Sequence, residues 1–346
     1  MSARSRLLAI AADWGRTDTE RRHRAGLLSA LCAAGVESEL LVLGSDPFDP
    51  RGLGNWAGIV GQQAQLDRPD SLVAQTAAVR AVLGRQSASI VWGLDTAGNQ
   101  ASRVAQALDR SIARVVTAVP DASTGRGLKR MVGDLLAKDP NLTLDRTGRA
   151  SARDTLSLAP GLDLGQLRRH SPDSVARMML RQAKLAPGDT LLAGWAASPG
   201  GRATLAAIDA AMRARGASPR WLWLGDDQPP GLETVPGAHD EVAGNLPLLS
   251  VVHALVAPDP DTASRLWARE AVALGRPAFV GPGSPDIDES IGLRELSALP
   301  EDAAEAILAV AADPARASAG WARAKADWSV IDEARRLADV LLSREA

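Results

Sequence analysis

The stretch DTASRLWAREAVALGRPAFVG, residues Asp261 to Gly281, places a helix and a strand in the order that decides the fold. After Asp261, its first part has the pattern of a helix that carries one acidic residue, Glu270, and closes at Gly275. A short apolar run that ends in glycine follows, which is typical of a buried strand. The stretch therefore predicts a helix–strand unit of an α/β protein.

The same alternation continues on both sides of this stretch. Strands that alternate with helices favour parallel sheets with right-handed crossovers. The helix within residues 17–35 is predicted to have Asp18 or Thr19 as its N-cap and to stop at Gly35. The predicted strands are RLLAIAA, ESELLVLG, ASIVWGLD, ARVVTAVPD, NLTLD and DTLSLAPG in the first half, and DTLLAGW, PRWLWLGDD, ALVAPD and RPAFVG in the second.

The segment from Ala159 to Ser174 interrupts this alternation with Pro, Gly and charged residues. We place the domain boundary there, with residues 1–162 in the first domain and residues 163–320 in the second. A chain of 346 residues suits two α/β domains. Ligands of open parallel sheets bind beyond the carboxyl ends of the strands, so the loops that follow the strands are the candidate surfaces.

Composition excludes several classes of function. The net charge of −2 gives no overall attraction for nucleic acid or anionic lipid. The single cysteine, Cys32, excludes an internal disulfide framework and a cysteine-based metal cluster. No apolar run approaches ~20 residues, so no transmembrane segment is predicted. The N-terminal apolar run is interpreted as a buried strand and not a signal peptide, which predicts a cytoplasmic protein.

The sequence has no G-x-S-x-G, P-loop or C-x-x-C motif, so hydrolase, NTPase and redox functions have no motif support. The histidines are scattered: His23 is expected on a solvated helix face, and His253 in the core or at a strand edge. Acidic residues cluster at 259–261 and 286–289, but such clusters are common in solvated turns, so no metal site is predicted.

In order and spacing, the chain resembles the family 4 glycosyltransferases, which have the GT-B fold of two facing Rossmann-like domains. Residues 191–227 are similar to the strand, phosphate loop, helix and strand that open the family's donor domain. Residues 246–289 are similar to its signature region, where a Pro-Ser corner leads to a Glu, seven residues and a second Glu. Residues 327–342 resemble the helix that crosses back, so residues 321–346 are expected to pack on the N-terminal domain.

The resemblance implies roles for particular residues. Glu270 takes the place of the second signature Glu, which hydrogen-bonds the donor ribose, and Thr262 takes the place of the first. The donor-facing glycine stretch corresponds to Gly281 and Gly283. The diphosphate loop corresponds to Gly194, Ser198, Gly200 and Gly201.

This chain departs from the family at several positions. The family's Arg and Lys on the diphosphate are replaced by Trp195 and Gly200, which leaves Arg202 as the one cation at this loop. The family's His is replaced by Pro120, and Asp121 follows it. Two simpler interpretations stay open: a surface ion pair of Glu270 with a neighbouring arginine, Arg269 or Arg276, and a plain tight turn at residues 198–202.

The resemblance implies a retaining, metal-independent glycosyltransferase that uses a nucleoside-diphosphate sugar and an unidentified acceptor, without a cofactor. Asp121 and Arg202 are the expected catalytic residues. The alternative is a catalytically degenerate GT-B protein that senses nucleotide sugars or is the partner of an active glycosyltransferase. Assembly into a homo-oligomer is a further open expectation. A third hypothesis, a GT-B sugar epimerase, needs facing acid and base side chains, for which the chain offers too few candidates.

Overall fold

The structure is a computed structural model that describes residues 6–12, 14, 17–44, 60–64, 66, 71–85, 88–108, 112, 114–118, 142–145, 155–169, 185, 189–225, 229–235, 245–311 and 317–343. The chain forms two compact units. The first unit comprises Met1–Arg16, Arg24–Ala159 and Val330–Ala346, and the second comprises Thr17–His23 and Pro160–Ser329. The start of the first helix therefore belongs to the second unit.

The first unit is built on a seven-stranded sheet with the order β3-β2-β1-β4-β5-β6-β7, in which every neighbouring pair is parallel. Apolar residues on successive positions of β1 face two separate cores, one on each side of the sheet. The strands are β1 (Arg6–Ala11), β2 (Glu37–Val42), β3 (Val60–Gln63), β4 (Ile90–Gly93), β5 (Arg114–Ala118), β6 (Leu142–Asp145) and β7 (Thr155–Ser157). The helices are α1 (Asp18–Ala33), which starts in the second unit, α2 (Leu72–Leu83) and α3 (Thr96–Leu108).

The second unit is built on a six-stranded parallel sheet with the order β10-β9-β8-β11-β12-β13. Its strands are β8 (Thr190–Gly194), β9 (Pro219–Trp223), β10 (Thr234–Val235), β11 (Ala254–Ala257), β12 (Ala278–Val280) and β13 (Leu293–Glu295). Its helices are α4 (Leu164–Arg169), α5 (Pro199–Ala214), α6 (Leu246–Leu249), α7 (Thr262–Ala273), α8 (Pro300–Ala311) and α9 (Ala317–Asp327), with a 3-10 turn at Glu289–Ile291. The last helix, α10 (Val330–Ser343), belongs to the first unit.

The predicted fold class, two doubly wound parallel sheets, is confirmed by these topologies. The predicted N-cap of α1, Asp18 or Thr19, is wrong, because Thr17 forms the cap. Its hydroxyl accepts from the Glu20 backbone N–H at 3.3 Å, and the Glu20 carboxylate accepts from the Thr17 backbone N–H at 3.2 Å. This reciprocal capping box satisfies two donors that a helix start leaves open. The predicted stop at Gly35 is confirmed, with φ at +94°.

An aspartate ties the first sheet together at the point where its strand order reverses, between β1 and β4. Asp95 follows β4 and accepts from the backbone N–H of Ala12, after β1, at 2.8 Å. Its second oxygen accepts from the backbone N–H of Gly98, in the first turn of α3, at 2.7 Å. A strand end or a helix start leaves such backbone N–H groups without a partner, so the Asp95 carboxylate satisfies both and links the strand end to the helix start.

Helix α10 completes one of the two cores of the first unit. Its apolar residues recur at helical spacing, and Ala334, Leu337 and Leu341 are each no more than 1% exposed. They belong to the same apolar cluster as residues of β1, β2 and β4. The first unit therefore depends on the end of the chain for part of its core.

Truncating this contact should destabilise the protein. Leu337→Ala should lower the free energy of unfolding by about 2–5 kcal/mol, because it removes a fully buried side chain from a packed core. Ile331→Ala, on the same helix but 58% exposed, should stay within about 0.5 kcal/mol of the parent. Urea unfolding of both variants measures the difference, and equal losses would contradict the packing of α10.

Candidate functional site

The carboxyl edge of the second sheet is the candidate site. Strand order reverses there between β8 and β11, and such a reversal opens the crevice in which doubly wound sheets bind ligands. Helix α5 starts in the loop after β8, and α7 starts in the loop after β11. The sequence-predicted residues of the donor loop and of the signature region thus meet at one edge.

The start of α5 is an ordered, glycine-containing turn. Ser198 is the N-cap, and its hydroxyl accepts from the Gly201 backbone N–H at 2.9 Å. Pro199 occupies the first helical position, where its missing N–H costs nothing. Gly200 is exposed, and Arg202 is partly buried in the first turn. Among the described residues, none pairs with the Arg202 guanidinium.

The carboxylate of Asp259 lies on this turn. It accepts from the Ser198 backbone N–H at 2.7 Å and from the Ser198 hydroxyl at 2.6 Å. A Cβ atom on Gly201 would lie 2.6 Å from both carboxylate oxygens, so only glycine leaves room for them at this position. Asp259 therefore links the loops after β8 and β11 at the crevice of this sheet, as Asp95 links a strand end to a helix start in the first unit.

Two of the departures from the family lie beside this contact. Trp195, at the place of the expected Arg, is buried, and its indole N–H donates to the Asp261 carboxylate at 3.4 Å. Asp261 caps α7 by accepting from the Ser264 backbone N–H at 2.6 Å. Thr262, at the place of the expected Glu, is the first residue of α7.

The other predicted glycines have identifiable structural reasons. Gly194 ends β8 against the Trp221 ring, which a Cβ atom would approach to 3.0 Å. Gly281, after β12, lies so close to the Pro258 carbonyl that any side chain would collide with it. Gly283 has φ at +75°, a conformation that favours glycine, and has open space around it.

Glu270 is buried in an ion pair with Arg22, and both residues lie in the second unit. The Arg22 side chain donates to one carboxylate oxygen at 3.2 Å and to the other at 2.8 Å, and its guanidinium stacks on Trp267 at 5.4 Å. Burial raises the pKa of Glu270 and outweighs the Arg22 charge, which lowers it. This arrangement contradicts the expected alternative of a surface acid.

The arginines offered as surface partners of Glu270 make other contacts. Arg276 donates to the Ser250 carbonyl at 2.7 Å, and Arg269 pairs with Asp286. The expectation that His23 lies on a solvated face is also wrong, because it is 3% exposed. The run ERRHR has the composition of a surface, but Arg22 and His23 in it are buried.

Asp286 forms ion pairs with two buried arginine side chains. Arg265 donates to it at 2.8 and 3.0 Å, and Arg269 at 3.1 and 2.6 Å. Arg269 also donates to the Pro160 carbonyl and stacks on the Trp328 ring at 5.0 Å. Burial opposes ionisation of Asp286, but the two arginines outweigh it and lower the pKa of this carboxyl.

The predicted catalytic residue Asp121 lies outside the described residues, and its role stays a prediction. Within the described part of the chain, no group of three or more His, Cys, Asp or Glu side chains is arranged to hold a metal ion. The acidic residues at 259–261 and 286 instead accept from the hydroxyl, backbone, indole and guanidinium donors described above.

The chain is similar to known proteins in its structure but not in its sequence. No protein-family model matches the chain, and no curated protein matches its sequence. Among solved structures, sucrose-phosphate synthase from Thermosynechococcus elongatus matches with a TM-score of 0.72 at 17% identity, covering 99% of both chains. Anabaena HepE, in complex with UDP and glucose, matches with a TM-score of 0.70 at 13% identity, covering 99% of this chain and 100% of that one.

The chain has the GT-B fold. The same fold likeness extends to UDP-GlcNAc 2-epimerase from Neisseria meningitidis bound to UDP-GlcNAc, with a TM-score of 0.58 at 11% identity over 98% of this chain and 100% of that one. The predicted GT-B architecture is therefore confirmed, whereas membership of glycosyltransferase family 4 stays a prediction. In the described segments of this GT-B chain, no helix has the length and apolar character needed to cross a membrane.

The Arg22–Glu270 pair predicts strong coupling between two positions far apart in sequence. Arg22→Met and Glu270→Met should each lower the free energy of unfolding by about 3–5 kcal/mol, because each leaves the other charge buried and unpaired. The double variant should be more stable than either single variant, since it leaves no buried charge. A double-mutant cycle from urea unfolding measures the coupling, and additive losses would contradict the pair.

The Asp286 cluster predicts a loss of stability in acid. A carboxyl whose folded-state pKa is lowered stabilises the protein above its unfolded pKa of about 3.9, and this contribution disappears as the pH falls through the folded value. Asp286→Asn should be less stable at pH 7 and should lose less stability between pH 5 and pH 3 than the parent. The same acid dependence in parent and variant would show that Asp286 is not the titrating group.

Proposed function

We propose that this protein transfers a sugar from a nucleoside-diphosphate sugar to an acceptor, with the diphosphate at the start of α5. The observation that carries the proposal is the position of this turn. A glycine-containing helix start follows a central strand at the point where the strand order reverses. Backbone N–H groups and the helix dipole favour an anion at such a place without a cationic side chain.

Two structures with the same fold hold ligands of this chemical class. Anabaena HepE was solved with UDP and glucose, and the Neisseria enzyme with UDP-GlcNAc. Since these proteins share only the fold with this chain, they support a nucleotide sugar as the ligand class and leave the reaction open. We favour transfer over epimerisation because the described part of the site presents too few facing acids and bases for an epimerase.

In this proposal, Gly281 and Gly283 approach the donor with their backbone, and Arg202 supplies the positive charge at the diphosphate. The transfer is proposed to retain configuration and to need no metal. The acceptor-side acid is proposed to be Asp121. The ribose role of Glu270 is kept as a proposal, because a carboxylate oxygen that accepts from Arg22 can accept a second hydrogen bond.

Arg202 has a defined task in this scheme. Negative charge grows on the leaving diphosphate during transfer, so a cation at the helix start stabilises the transition state more than the bound donor. Family 4 enzymes are expected to use an Arg and a Lys there, and this chain has Trp195 and Gly200. The proposal therefore depends on one guanidinium and on backbone donors.

Removing that guanidinium tests the proposal. Arg202→Ala should reduce turnover by about 100- to 1,000-fold, the usual effect of losing one preorganised donor, while donor affinity falls much less. The matched control is Arg215→Ala, at the opposite end of α5, which should keep parental turnover. Release of nucleoside diphosphate from a panel of UDP-, GDP- and ADP-sugars with sugar and lipid acceptors provides the assay.

The outcomes separate the two functions that the sequence leaves open. Turnover that is lost in Arg202→Ala and kept in Arg215→Ala supports the transferase. Donor binding without consumption across the panel would contradict the transferase and favour the alternative, a catalytically degenerate nucleotide-sugar sensor. A thermal shift detects binding alone, because a specific ligand at 100 times its dissociation constant adds about 2.7 kcal/mol of stability.

A further inference from the structure

We propose that Asp259 is an internal competitor of the donor diphosphate and sets the affinity of the site for nucleotides. The inference rests on the proposed function and concerns the same helix start. It follows from the contact of the Asp259 carboxylate with Ser198 and from the space that Gly201 leaves for that carboxylate.

The donors that Asp259 uses are those that a phosphate would use. Ser198 offers a backbone N–H and a hydroxyl, and both point to the two carboxylate oxygens at 2.7 and 2.6 Å. The Ser198 hydroxyl in turn accepts from the Gly201 backbone N–H. Because each hydrogen carries one strong bond, the Asp259 carboxylate and a phosphate oxygen cannot both be satisfied there.

Charge makes the competition stronger. Asp259 is held by neutral donors, and within the described residues no guanidinium or ammonium pairs with it. Its negative charge is therefore not neutralised locally, and it repels a diphosphate that approaches the same helix start. In the family that the sequence resembles, the corresponding corner is Pro-Ser, and the neutral Ser brings no such repulsion.

Asp95 provides an internal comparison. It joins a strand end to a helix start at the strand-order reversal of the first sheet, as Asp259 does in the second. If each carboxylate only links a strand end to a helix start, removing it should affect nucleotide binding in the same way at both places. An Asp259 that also competes with the ligand differs from Asp95 in one measurable respect: its removal strengthens nucleotide binding.

The experiment is calorimetric titration of the full chain with UDP and, separately, with inorganic pyrophosphate. Asp259→Asn should bind both about 10- to 100-fold more tightly than the parent, because loss of the charge removes both the repulsion and the strongest competing hydrogen bonds. Asp259→Ser, which recreates the Pro-Ser corner, should do the same. Asp95→Asn should melt at a lower temperature and bind UDP with parental affinity.

Each outcome has one meaning. Tighter binding in both Asp259 variants, with Asp95→Asn unchanged, supports the competition. Parental or weaker binding in folded Asp259→Asn and Asp259→Ser, with clear UDP binding by the parent, overturns the competition and leaves the transferase proposal intact. No UDP or pyrophosphate binding by the parent or either variant overturns both, and circular dichroism melting curves establish that each variant is folded.

Discussion

Helix α7 imposes the constraint on which the rest of the second unit depends. Eleven of its twelve residues are buried, and three of these, Arg265, Arg269 and Glu270, carry charge. A buried charge is tolerated only with a partner and with its remaining hydrogen bonds satisfied. The partners come from three parts of the chain: Arg22 near the N-terminus, Asp286 after β12, and the Pro160 carbonyl.

These pairings fix the surroundings of the candidate site. Asp286 holds Arg265 and Arg269 one turn apart on α7, and so ties the loop after β12 to that helix. At its start, α7 is capped by Asp261, which also receives the Trp195 indole N–H. Trp195, which replaces the expected arginine of the diphosphate loop, is therefore part of the structural frame of this edge.

Periodicity predicted the central strands of both sheets, because parallel strands buried on both faces appear as apolar runs between amphipathic helices. It missed the edge strands β3, β10 and β13, which are two to four residues long and have few apolar residues. It also misplaced the N-cap of α1, since Thr17, Asp18 and Thr19 are all residue types that cap helices.

The site was harder to predict, because its contacts join residues far apart in sequence. The resemblance to family 4 pointed to the glycine turn before α5 and to Glu270. It gave no sign of the partner of Glu270, which lies 248 residues away in a run with the composition of a surface helix. Asp259 was visible only as one of two acids in a turn. Its neighbour Ser198, 61 residues earlier, becomes evident only when the strand order brings β8 beside β11.

We have proposed that Asp259 and a donor diphosphate share one anion site at the start of α5. A crystal structure of the protein with UDP would show which of the two occupies it. We expect phosphate oxygens within about 3 Å of the Ser198 backbone N–H and hydroxyl, with the Asp259 side chain turned away. UDP bound with the Asp259–Ser198 contacts unchanged, or with its phosphates elsewhere, would contradict the claim.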